Sequence, residues 1–325
     1  MHIDFWNVGQ GDASSICWKE AENGVEHIDL IDVGPPGTTQ VSEYFVPNAR
    51  VKSWVIDNLI LTHNDNDHIG GLSWLRRKVE QEISCIQNVY LVDDWERQPA
   101  RKNSLAWLIS RYSRENRLHR LECPQIICNI GEYVLETIYP DFAANIRHAG
   151  TPNCTSGILR LRHQNTSLVV WGGDNKLATL VGHVSQPIWF FGPHHGAPQD
   201  KKTKKHSVED RLSSFVASIA PAQCVLSFCT ENGYGHPKQE YLQALCQNDC
   251  QVTCIQQAAQ CRTDNRDIVL GGDGFYGLYS PLSPALQCHG HLRLTVSQDQ
   301  VVDELEAEYR EAKAGRPRRL CNIAI

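Results

Sequence analysis

Residues 62–71 read THNDNDHIGG, and this stretch decides how the rest of the sequence is interpreted. It directly follows residues 55–61 (VIDNLIL), whose apolar and β-branched content predicts a buried strand. Loops at the ends of such strands often carry the chemistry of a fold, and imidazole nitrogen together with carboxylate oxygen suits Zn²⁺, Mn²⁺ or Fe. An Asx-rich turn with incidental histidines is the alternative explanation. The candidate ligands are His63, Asp65, Asp67 and His68.

Further ligand-type side chains follow other predicted strands. A single strand-end Asp is usually a turn or helix-cap residue, but several such positions in one chain favour a common site. A His-His-Gly after an apolar strand is harder to explain by local structure alone. These positions are Asp32 after DLI, Asp174 after SLVVWGG, His194 and His195 after QPIWFFGP, and His236 in YGHPK.

The hydrophobic pattern predicts a strand-rich chain with interspersed helices. The predicted strands are 2–9, 27–33, 55–61, 86–92, 133–140, 157–164, 167–174, 186–193, 222–228, 252–255 and 268–280, and the predicted helices are 72–83, 103–117 and 237–249. The segments 157–164 and 167–174 are expected to form a hairpin. Runs of consecutive strands indicate two mostly antiparallel sheets flanked by helices, a layered α/β fold rather than a Rossmann alternation.

The C-terminal region is predicted to be an appendage. Residues 297–320 have the charged, weakly amphipathic pattern of a helix that ends in a basic cluster. We therefore divide the chain into a domain over 1–290 and a charged helical extension over 291–325, which is expected to bind a protein partner or form an oligomer contact.

Composition excludes several classes of protein. The net charge of −6 shows that the chain as a whole is no polycation, so a nucleic-acid contact needs a local basic patch. The sequence shows neither a signal-peptide pattern nor an apolar stretch of membrane-spanning length, and we expect a cytoplasmic protein. The 13 cysteines are scattered and are expected to be reduced and mostly buried, although Cys246, Cys250 and Cys254 are spaced to share a helix face.

The stretch THNDNDHIGG resembles the His-x-His-x-Asp-His signature of the metallo-β-lactamase superfamily, with Asp65 in the second His position. This variant is similar to the soluble hydrolase domain of the competence protein ComEC and its stand-alone relatives. Five other stretches agree in the same order: FWNVGQGDASSI, LIDVGP, VVWGGD, PHHGA and NGYGHPKQEYLQAL. The resemblance implies a four-layer αββα sandwich with two mostly antiparallel central sheets.

The resemblance also implies a dinuclear site for two divalent metal ions, Zn²⁺ or Mn²⁺. Asp32 is expected to orient a ligand from behind. The implied ligands are His63 and Asp65 for one ion, Asp67 and His68 for the other, Asp174 as the bridge, and His195 rather than His194 as the last ligand of the second ion.

The chain departs from the superfamily pattern at two places. The usual histidine before the bridging Asp is missing, and Asn153 stands there instead, with His148 nearby but off the motif. The PHHGS typical of the branch is PHHGA, so Ala197 removes a hydroxyl that could contact substrate. The missing histidine predicts a first ion site that is weaker or is filled only when substrate is present.

Two ions sharing an Asp lower the pKa of bound water, so a hydroxide is the expected nucleophile. Asp67 is expected to orient or deprotonate that water. His236, or whichever of His194 and His195 is not a ligand, is expected to donate a hydrogen bond to the oxyanion or leaving group.

The segment after the His-His-Gly predicts the substrate. Its lysines would give the mouth of the site a positive field, which suits phosphodiesters, although a solvated loop is the simpler explanation. Arg76, Arg77, Lys78 and the Arg-rich stretch 97–120 extend this track, and bases can stack on aromatic rings, unless those rings pack in the core. The lysines are Lys201, Lys202, Lys204 and Lys205, and the rings are Trp74, Trp95 and Trp107.

The predicted function is therefore a metal-dependent phosphodiesterase, a DNA or RNA nuclease without a membrane domain, which by family analogy acts as an effector in anti-phage defence. Two alternatives stay open. One is hydrolysis of a small substrate such as a cyclic nucleotide, phosphocholine ester, lactone, β-lactam or thioester. The other is a non-catalytic interaction module stabilised by its metals.

Overall fold

The structure is a computed structural model of the 325-residue chain. It describes residues 1–20, 24–37, 54–92, 103–148, 151–197, 207–229, 232–255, 292–297 and 300–303. Among these residues, no helix combines the length and the apolar character that crossing a membrane requires. The predicted strand 268–280 and the lysines at 201–205 lie outside the described residues.

The described strands form two sheets. The first has eight strands in the order β15-β14-β1-β2-β3-β4-β5-β6, and the second has seven in the order β13-β12-β11-β10-β9-β8-β7. The strands are β1 His2–Phe5, β2 Ser14–Lys19, β3 Glu26–Ile31, β4 Trp54–Leu61, β5 Ser84–Leu91, β6 Leu118–Arg120, β7 Gln125–Ile130, β8 Tyr133–Tyr139, β9 Ile158–His163, β10 Thr166–Trp171, β11 Trp189–Phe191, β12 Gln223–Leu226, β13 Gln251–Cys254, β14 Leu292–Ser297 and β15 Gln300–Asp303.

Helices cover the outer face of each sheet. They are α1 Asn66–Ile69, α2 Leu72–Glu80, α3 Asn103–Arg114, α4 Phe142–Arg147, α5 Pro152–Thr155, α6 Leu177–Val181, α7 Val208–Ile219 and α8 Gln239–Gln247. Apolar side chains of α2 and α3 pack on the first sheet, and those of α6, α7 and α8 pack on the second. The predicted four-layer αββα sandwich is confirmed.

Both sheets are buried on both faces, which explains their nearly continuous apolar strands. On β3, Leu30 faces the helices and Ile31 faces the other sheet. On β10, Val170 faces the helices, whereas Trp171 lies between the sheets. This alternation follows from the two-residue period of a strand, and it produces three apolar layers, one between the sheets and one outside each.

Each sheet changes strand direction part-way across. Strands β15 to β3 of the first sheet pair antiparallel, and β3 to β6 pair parallel. In the second sheet, β7 to β10 are antiparallel and β10 to β13 are parallel. The sheets are therefore mixed rather than mostly antiparallel. Helical crossovers connect β4 to β5, β5 to β6, and the successive strands from β10 to β13. The predicted β9–β10 hairpin is confirmed.

The C-terminal strands correct part of the predicted extension. Strand β14 pairs with β1, and β15 returns antiparallel to it with Val296 opposite Val301. The helix predicted to start at 297 is therefore wrong for residues 300–303, where cross-strand pairing replaces the local helical pattern. The remainder of the extension, 304–325, lies outside the described residues.

The cysteines also differ from one local expectation. Helix α8 ends at Gln247 and Cys254 lies in β13, so Cys246, Cys250 and Cys254 do not share a helix face. All described cysteines are free thiols.

A row of polar side chains crosses the inner face of the first sheet. Asn58 donates to Asp29 at 2.6 Å, Asn88 donates to Asn58 at 3.4 Å, and His119 lies 3.3 Å from the Asn88 amide oxygen. These residues come from β3, β4, β5 and β6, and we call them the polar ladder. Cys128 of the second sheet also donates to Asp29, at 3.4 Å. Burial raises the pKa of Asp29 to about 6.

Candidate metal centre

The residues of the site lie where strands of both sheets end. Asp32 follows β3 and the stretch 62–71 follows β4, while Asp174 follows β10 and the pair His194–His195 follows β11. Since β3 and β4 are parallel, as are β10 and β11, their carboxyl ends meet at one edge of the sandwich.

Asp32 fixes the start of the ligand loop. Its carboxylate accepts the Thr62 N–H at 2.8 Å and the Thr62 hydroxyl at 2.7 Å, and it lies 2.8 Å from Nδ1 of His68. The His68 Nδ1–H donates to this carboxylate, so Nε2 is the nitrogen that is left to bind an ion, after the loss of its proton. That nitrogen lies 3.3 Å from Oδ1 of Asp174.

His63 is oriented in the same way. Its Nδ1 lies 3.2 Å from the Thr62 hydroxyl and 3.3 Å from the Ser156 hydroxyl. Thr62 already donates its proton to Asp32, so its oxygen accepts from His63 and Nε2 carries the lone pair. The Nε2 atom lies 3.4 Å from Oδ2 of Asp174.

His195 is the third histidine whose Nδ1 is occupied. It lies 3.0 Å from the Ser227 carbonyl oxygen and 3.2 Å from Oδ1 of Asp12, a buried carboxylate. The Nε2 atom of His195 lies 3.1 Å from Asp67 and 3.9 Å from Oδ1 of Asp174. His194 also reaches Asp174, with Nδ1 at 3.7 Å from Oδ2 and 3.1 Å from the Asn153 amide nitrogen.

The charges of this cluster are strongly coupled. Burial lowers the pKa of His195, but the carboxylates of Asp12, Asp67 and Asp174 together outweigh it and raise that pKa to about 10. Burial is likewise outweighed at His68, where Asp174 and Asp32 raise the pKa well above its ordinary value. The pKa of Asp174 is held well below its usual range by His63 and His68, despite burial that raises it. The carboxylate of Asp174 is therefore ionised.

His236 differs from the other histidines. The backbone N–H of Cys229 donates to Oε1 of Gln10 at 3.3 Å, so the amide nitrogen of Gln10 faces Nδ1 of His236 at 3.4 Å. Nδ1 therefore accepts, and Nε2 carries the proton. Burial and the charges of His194 and His195 lower the pKa of His236 to about 4. It is a neutral hydrogen-bond donor at neutral pH.

Backbone hydrogen bonds lock the ligand loop to two other loops. Val33 N–H donates to His68 O at 2.8 Å and Asp12 N–H donates to Asp67 O at 3.2 Å. The backbones approach so closely that a Cβ at Gly11 would lie 2.3 Å from the Asp67 carbonyl, and one at Gly71 would lie 2.1 Å from the Val33 carbonyl. These glycines are required for the close approach.

The donor set fits divalent metal ions. Among the described residues, His63 Nε2, His68 Nε2 and Asp174 Oδ1 are buried and make no hydrogen bond, although they lie within 3.4 Å of an oppositely charged group. Unsatisfied buried polar atoms are costly unless a ligand completes them. Two groups of potential ligand atoms result, His63–His68–Asp174 and Asp67–His68–His195, and their nitrogen and carboxylate donors suit Zn²⁺ or Mn²⁺.

Most of the predicted site residues come together in this cluster. They are Asp32, His63, Asp67, His68, Asn153, Asp174, His194, His195 and His236. Asp65 lies at the rim, 3.9 Å from His63, with a side chain that is 43% exposed. Lys201, Lys202, Lys204 and Lys205 lie outside the described residues.

The predicted nucleic-acid track receives little support on α2 and α3. Trp74 is buried in the layer under these helices, so core packing is its role and base stacking on it is excluded. Trp107 packs against the same layer, and Arg76 and Arg111 lie over its ring at 5.7 and 6.0 Å. Both arginines also pair with glutamates. Trp95 lies outside the described residues.

Sequence reasoning assigned no role to Asp12, Gln10 or Ser156. Asp12 and Gln10 hold His195 and His236, and Ser156 accepts the Asp174 N–H at 3.0 Å beside His63. The polar run GQGD between two buried strands is the signal that could have pointed to the first two. Ser156 has no comparable signal.

Comparison with known proteins agrees with this architecture. Residues 23–91 match the sequence profile of the Metallo-beta-lactamase superfamily. The chain has the metallo-β-lactamase fold. The matched segment includes β3, β4 and the ligand loop, so it covers the stretch that carries the motif. The donor cluster and the profile match together support a metal-dependent hydrolase.

Solved structures of this fold are similar at low sequence identity. The metallo-beta-lactamase fold protein YhfI from Bacillus subtilis is 12% identical, with a TM-score of 0.44 over 78% of this chain and 96% of that one. Igni18, a metallo hydrolase from Ignicoccus hospitalis, is 11% identical, with a TM-score of 0.44 over 78% and 95%. A diphosphatase of the PhnP family is 14% identical, with a TM-score of 0.41 over 70% and 87%. A comparison with curated protein sequences finds no match.

Proposed function

We propose that this chain is a metal-dependent phosphodiesterase that cleaves DNA or RNA. The observation that carries the proposal is the carboxylate of Asp174, which lies between four imidazoles, with two imidazole nitrogens 3.3 to 3.9 Å from each of its oxygens. Two divalent ions, when bound there, would supply a nucleophile derived from water and neutralise the charge that builds on a phosphoryl group.

Asp67 is placed to handle the attacking water. One of its oxygens lies 3.1 Å from His195, and its side chain is partly exposed. Burial raises its pKa, but the hydrogen bond from His195 and the charge of His68 outweigh this and hold the pKa well below the ordinary value. An ionised carboxylate accepts hydrogen bonds only, so it orients water with the oxygen lone pair toward the substrate.

His236 is placed to assist the leaving group. Its ring centroid lies 5.6 Å from that of His194 and 6.2 Å from that of His195, at the edge of the cluster. Gln10 leaves its Nε2–H as the free donor. A neutral imidazole donates a hydrogen bond to the leaving oxygen without adding a cation to the site.

The choice of substrate is supported by charge. The protein carries a net charge of −6, so a polyanion needs local attraction, and the four lysines at 201–205 follow the His194–His195 turn closely in the sequence. Lys238 adds an exposed cation two residues after His236. Asp65 adds a hard oxygen donor at the rim, which suits an ion that must also bind phosphate oxygen.

Purified protein tests the proposal in two measurements. Metal content by mass spectrometry is expected to reach two ions per chain. Incubation with Mn²⁺ or Zn²⁺ is expected to cleave single-stranded DNA, double-stranded DNA or RNA, and the double variant His63→Ala/Asp67→Ala is the matched control. Cleavage that persists in this control would assign the activity to a contaminant or another site.

Assays on several classes of substrate distinguish nucleic-acid cleavage from the two alternative functions. Replacing Lys201, Lys202, Lys204 and Lys205 by alanine is expected to weaken nucleic-acid cleavage, and unchanged activity would favour a small substrate. Cyclic dinucleotides, phosphocholine esters, lactones and β-lactams are assayed beside the polymers. An Asp174→Ala protein that keeps its biological effect would instead identify a non-catalytic module.

A cellular role is proposed on family analogy alone. We propose that the protein acts as the effector of an anti-phage complex, whose partner contact we assign to the C-terminal extension. Phage plating on cells that express the wild type or the Asp174→Ala variant measures this role. Equal plating efficiency of the two strains, with both proteins expressed at the same level, would remove it.

A further inference from the structure

The two oxygens of Asp174 divide the cluster into two halves. On the Oδ1 side lie His68 Nε2 at 3.3 Å and His195 Nε2 at 3.9 Å, and Asp67 joins them through its 3.1 Å contact with His195. On the Oδ2 side lie His63 Nε2 at 3.4 Å and His194 Nδ1 at 3.7 Å.

Without His194, the Oδ2 half has fewer potential side-chain ligands than the Oδ1 half. A catalytic metal site in a protein usually has three side-chain ligands and one open position. The Oδ1 half has three besides the shared carboxylate. The Oδ2 half has His63, with the half-exposed Asp65 a further 3.9 Å from it. His194 brings this half to the same number of side chains as the other.

The backbone explains how neighbouring histidines reach opposite oxygens. Both His194 (φ 50°, ψ 47°) and His195 (φ 55°, ψ 30°) adopt the left-handed conformation, which costs roughly 1 kcal/mol or more for a residue with a Cβ. Their rings diverge, with centroids 6.1 Å apart and planes 70° apart. The His194 N–H donates to Gly173 O at 3.1 Å, which ties the turn to Asp174.

We propose that His194, through Nδ1, is a ligand of the ion on the Oδ2 side of Asp174, together with His63. This inference rests on the proposed function, because it assigns a ligand within the same metal centre. It replaces the expectation that His194 donates a proton, and it leaves that task to His236, whose free nitrogen carries a hydrogen. Nδ1, which now contacts the Asn153 amide at 3.1 Å, would be the atom of His194 that holds the ion.

Metal stoichiometry tests the assignment without an activity assay. Metal-free protein is titrated with Zn²⁺ or Mn²⁺ alone, by calorimetry and native mass spectrometry. The wild type is expected to bind two ions. The His194→Ala variant is expected to bind one with nearly wild-type affinity and the second at least about 100-fold more weakly, since even outer partners of a ligand are worth 10–100-fold.

Matched variants separate ligation from structural damage. His236→Ala removes the ring next to His194 and is expected to keep both ions. His194→Asp retains a donor and is expected to bind the second ion better than His194→Ala does. Added imidazole is expected to restore the second ion to His194→Ala, and circular dichroism of the metal-free variants checks that each is folded.

The outcomes distinguish the inference from the proposed function. Two ions bound with unchanged affinity by a folded His194→Ala protein would overturn the ligand assignment and leave the metal centre intact. A second ion that His236→Ala loses as fully as His194→Ala would also overturn it. A wild-type protein that binds neither Zn²⁺ nor Mn²⁺ would overturn the proposed function itself.

Discussion

Asp29 lies in strand β3, and Asp32 is the residue that follows this strand. Both are buried, but their surroundings differ in whether every polar atom has a hydrogen-bond partner. Asp29 belongs to the polar ladder, where Asn58 donates to it and Asn88 donates to Asn58 in turn. Asp32 belongs to the metal centre, where it holds His68 against Asp174. Both carboxylates are almost fully buried.

The polar ladder and the metal centre differ in whether their buried polar atoms have hydrogen-bond partners. Each described ladder side chain has a hydrogen-bond partner on the next strand. In the metal centre, by contrast, Nε2 of His63, Nε2 of His68 and Oδ1 of Asp174 make none. Leaving such atoms unsatisfied costs on the order of 1–3 kcal/mol each. Single unsatisfied buried atoms, such as Trp74 Nε1 and Thr137 Oγ1, also occur elsewhere in the described residues. The clustering of unsatisfied imidazole and carboxylate atoms is what indicates a metal ligand site.

The largest effect is expected from removal of the Asp174 carboxylate, which the two halves of the metal centre share. Asp174→Ala is expected to lower turnover by more than about 10³-fold, because even one donor to a reacting oxyanion is worth 10²–10³. Steady-state cleavage of a labelled oligonucleotide measures it. Asn88→Ala in the ladder is the matched control and is expected to keep turnover within about threefold. Equal losses in the two variants would contradict the distinction between the regions.

Asp12 is expected to act through His195 rather than on substrate. Its carboxylate lies 3.2 Å from His195 Nδ1, so Asp12→Asn is expected to weaken binding of the ion on the Oδ1 side by about 10–100-fold. Calorimetric titration with Zn²⁺ measures this affinity. An unchanged affinity in a folded variant would show that the Ser227 carbonyl alone orients the ring.

Binding of an ion to the metal centre is expected to release protons. The pKa of His68 and that of His195 are raised by neighbouring carboxylates, so both imidazoles are protonated at neutral pH before an ion binds. Binding must displace these protons, and the affinity is expected to fall by up to about tenfold per proton for each unit that pH falls from 8 to 6. Calorimetry in buffers of different ionisation enthalpy counts the protons. An affinity independent of pH would contradict the raised pKa values.

The smallest effect is expected in the ladder. Burial raises the pKa of Asp29 to about 6, above its value in the unfolded chain. The stabilisation that accompanies the neutral carboxyl is therefore present at low pH and lost as pH rises through 6. Asp29→Asn should be more favourable, relative to wild type, at pH 8 than at pH 4.5, by on the order of 1–2 kcal/mol. Urea unfolding of metal-free protein at both pH values measures the free energy of unfolding of each protein. The same difference between variant and wild type at both pH values would contradict a raised pKa of Asp29.

The site was predictable from sequence where one segment carries several ligands. THNDNDHIGG, Asp174 and the His-His pair each stand directly after an apolar strand, so their convergence follows from the fold. Asp12 was missed because its partner, His195, is distant in sequence and a Gly-Gln-Gly-Asp run is typical of an ordinary turn. The direction of each ring in the pair depends on two successive left-handed residues, which no local pattern indicates.

The fold was predictable to the level of layers and less so at its edges. The C-terminal residues 300–303 carry a helical pattern, yet pairing with β14 makes them a strand. Helix α7 was not predicted, although Ser207 caps it by accepting the Asp210 N–H. The parallel halves of both sheets depend on which strands meet in space, and strand order along the chain does not determine this.

The interlocked loops around Gly11 and Gly71 have a consequence for how the protein acquires its ions. Because main-chain hydrogen bonds already hold the donors in position, loading requires no refolding, and chelators should empty the centre while the sandwich stays intact. Metal ions would therefore be able to exchange at this preformed site after synthesis. The metal bound at the site will then depend on the cell's metal supply as much as on the intrinsic preference of the ligands. The same protein can therefore be isolated with different metals from different growth media.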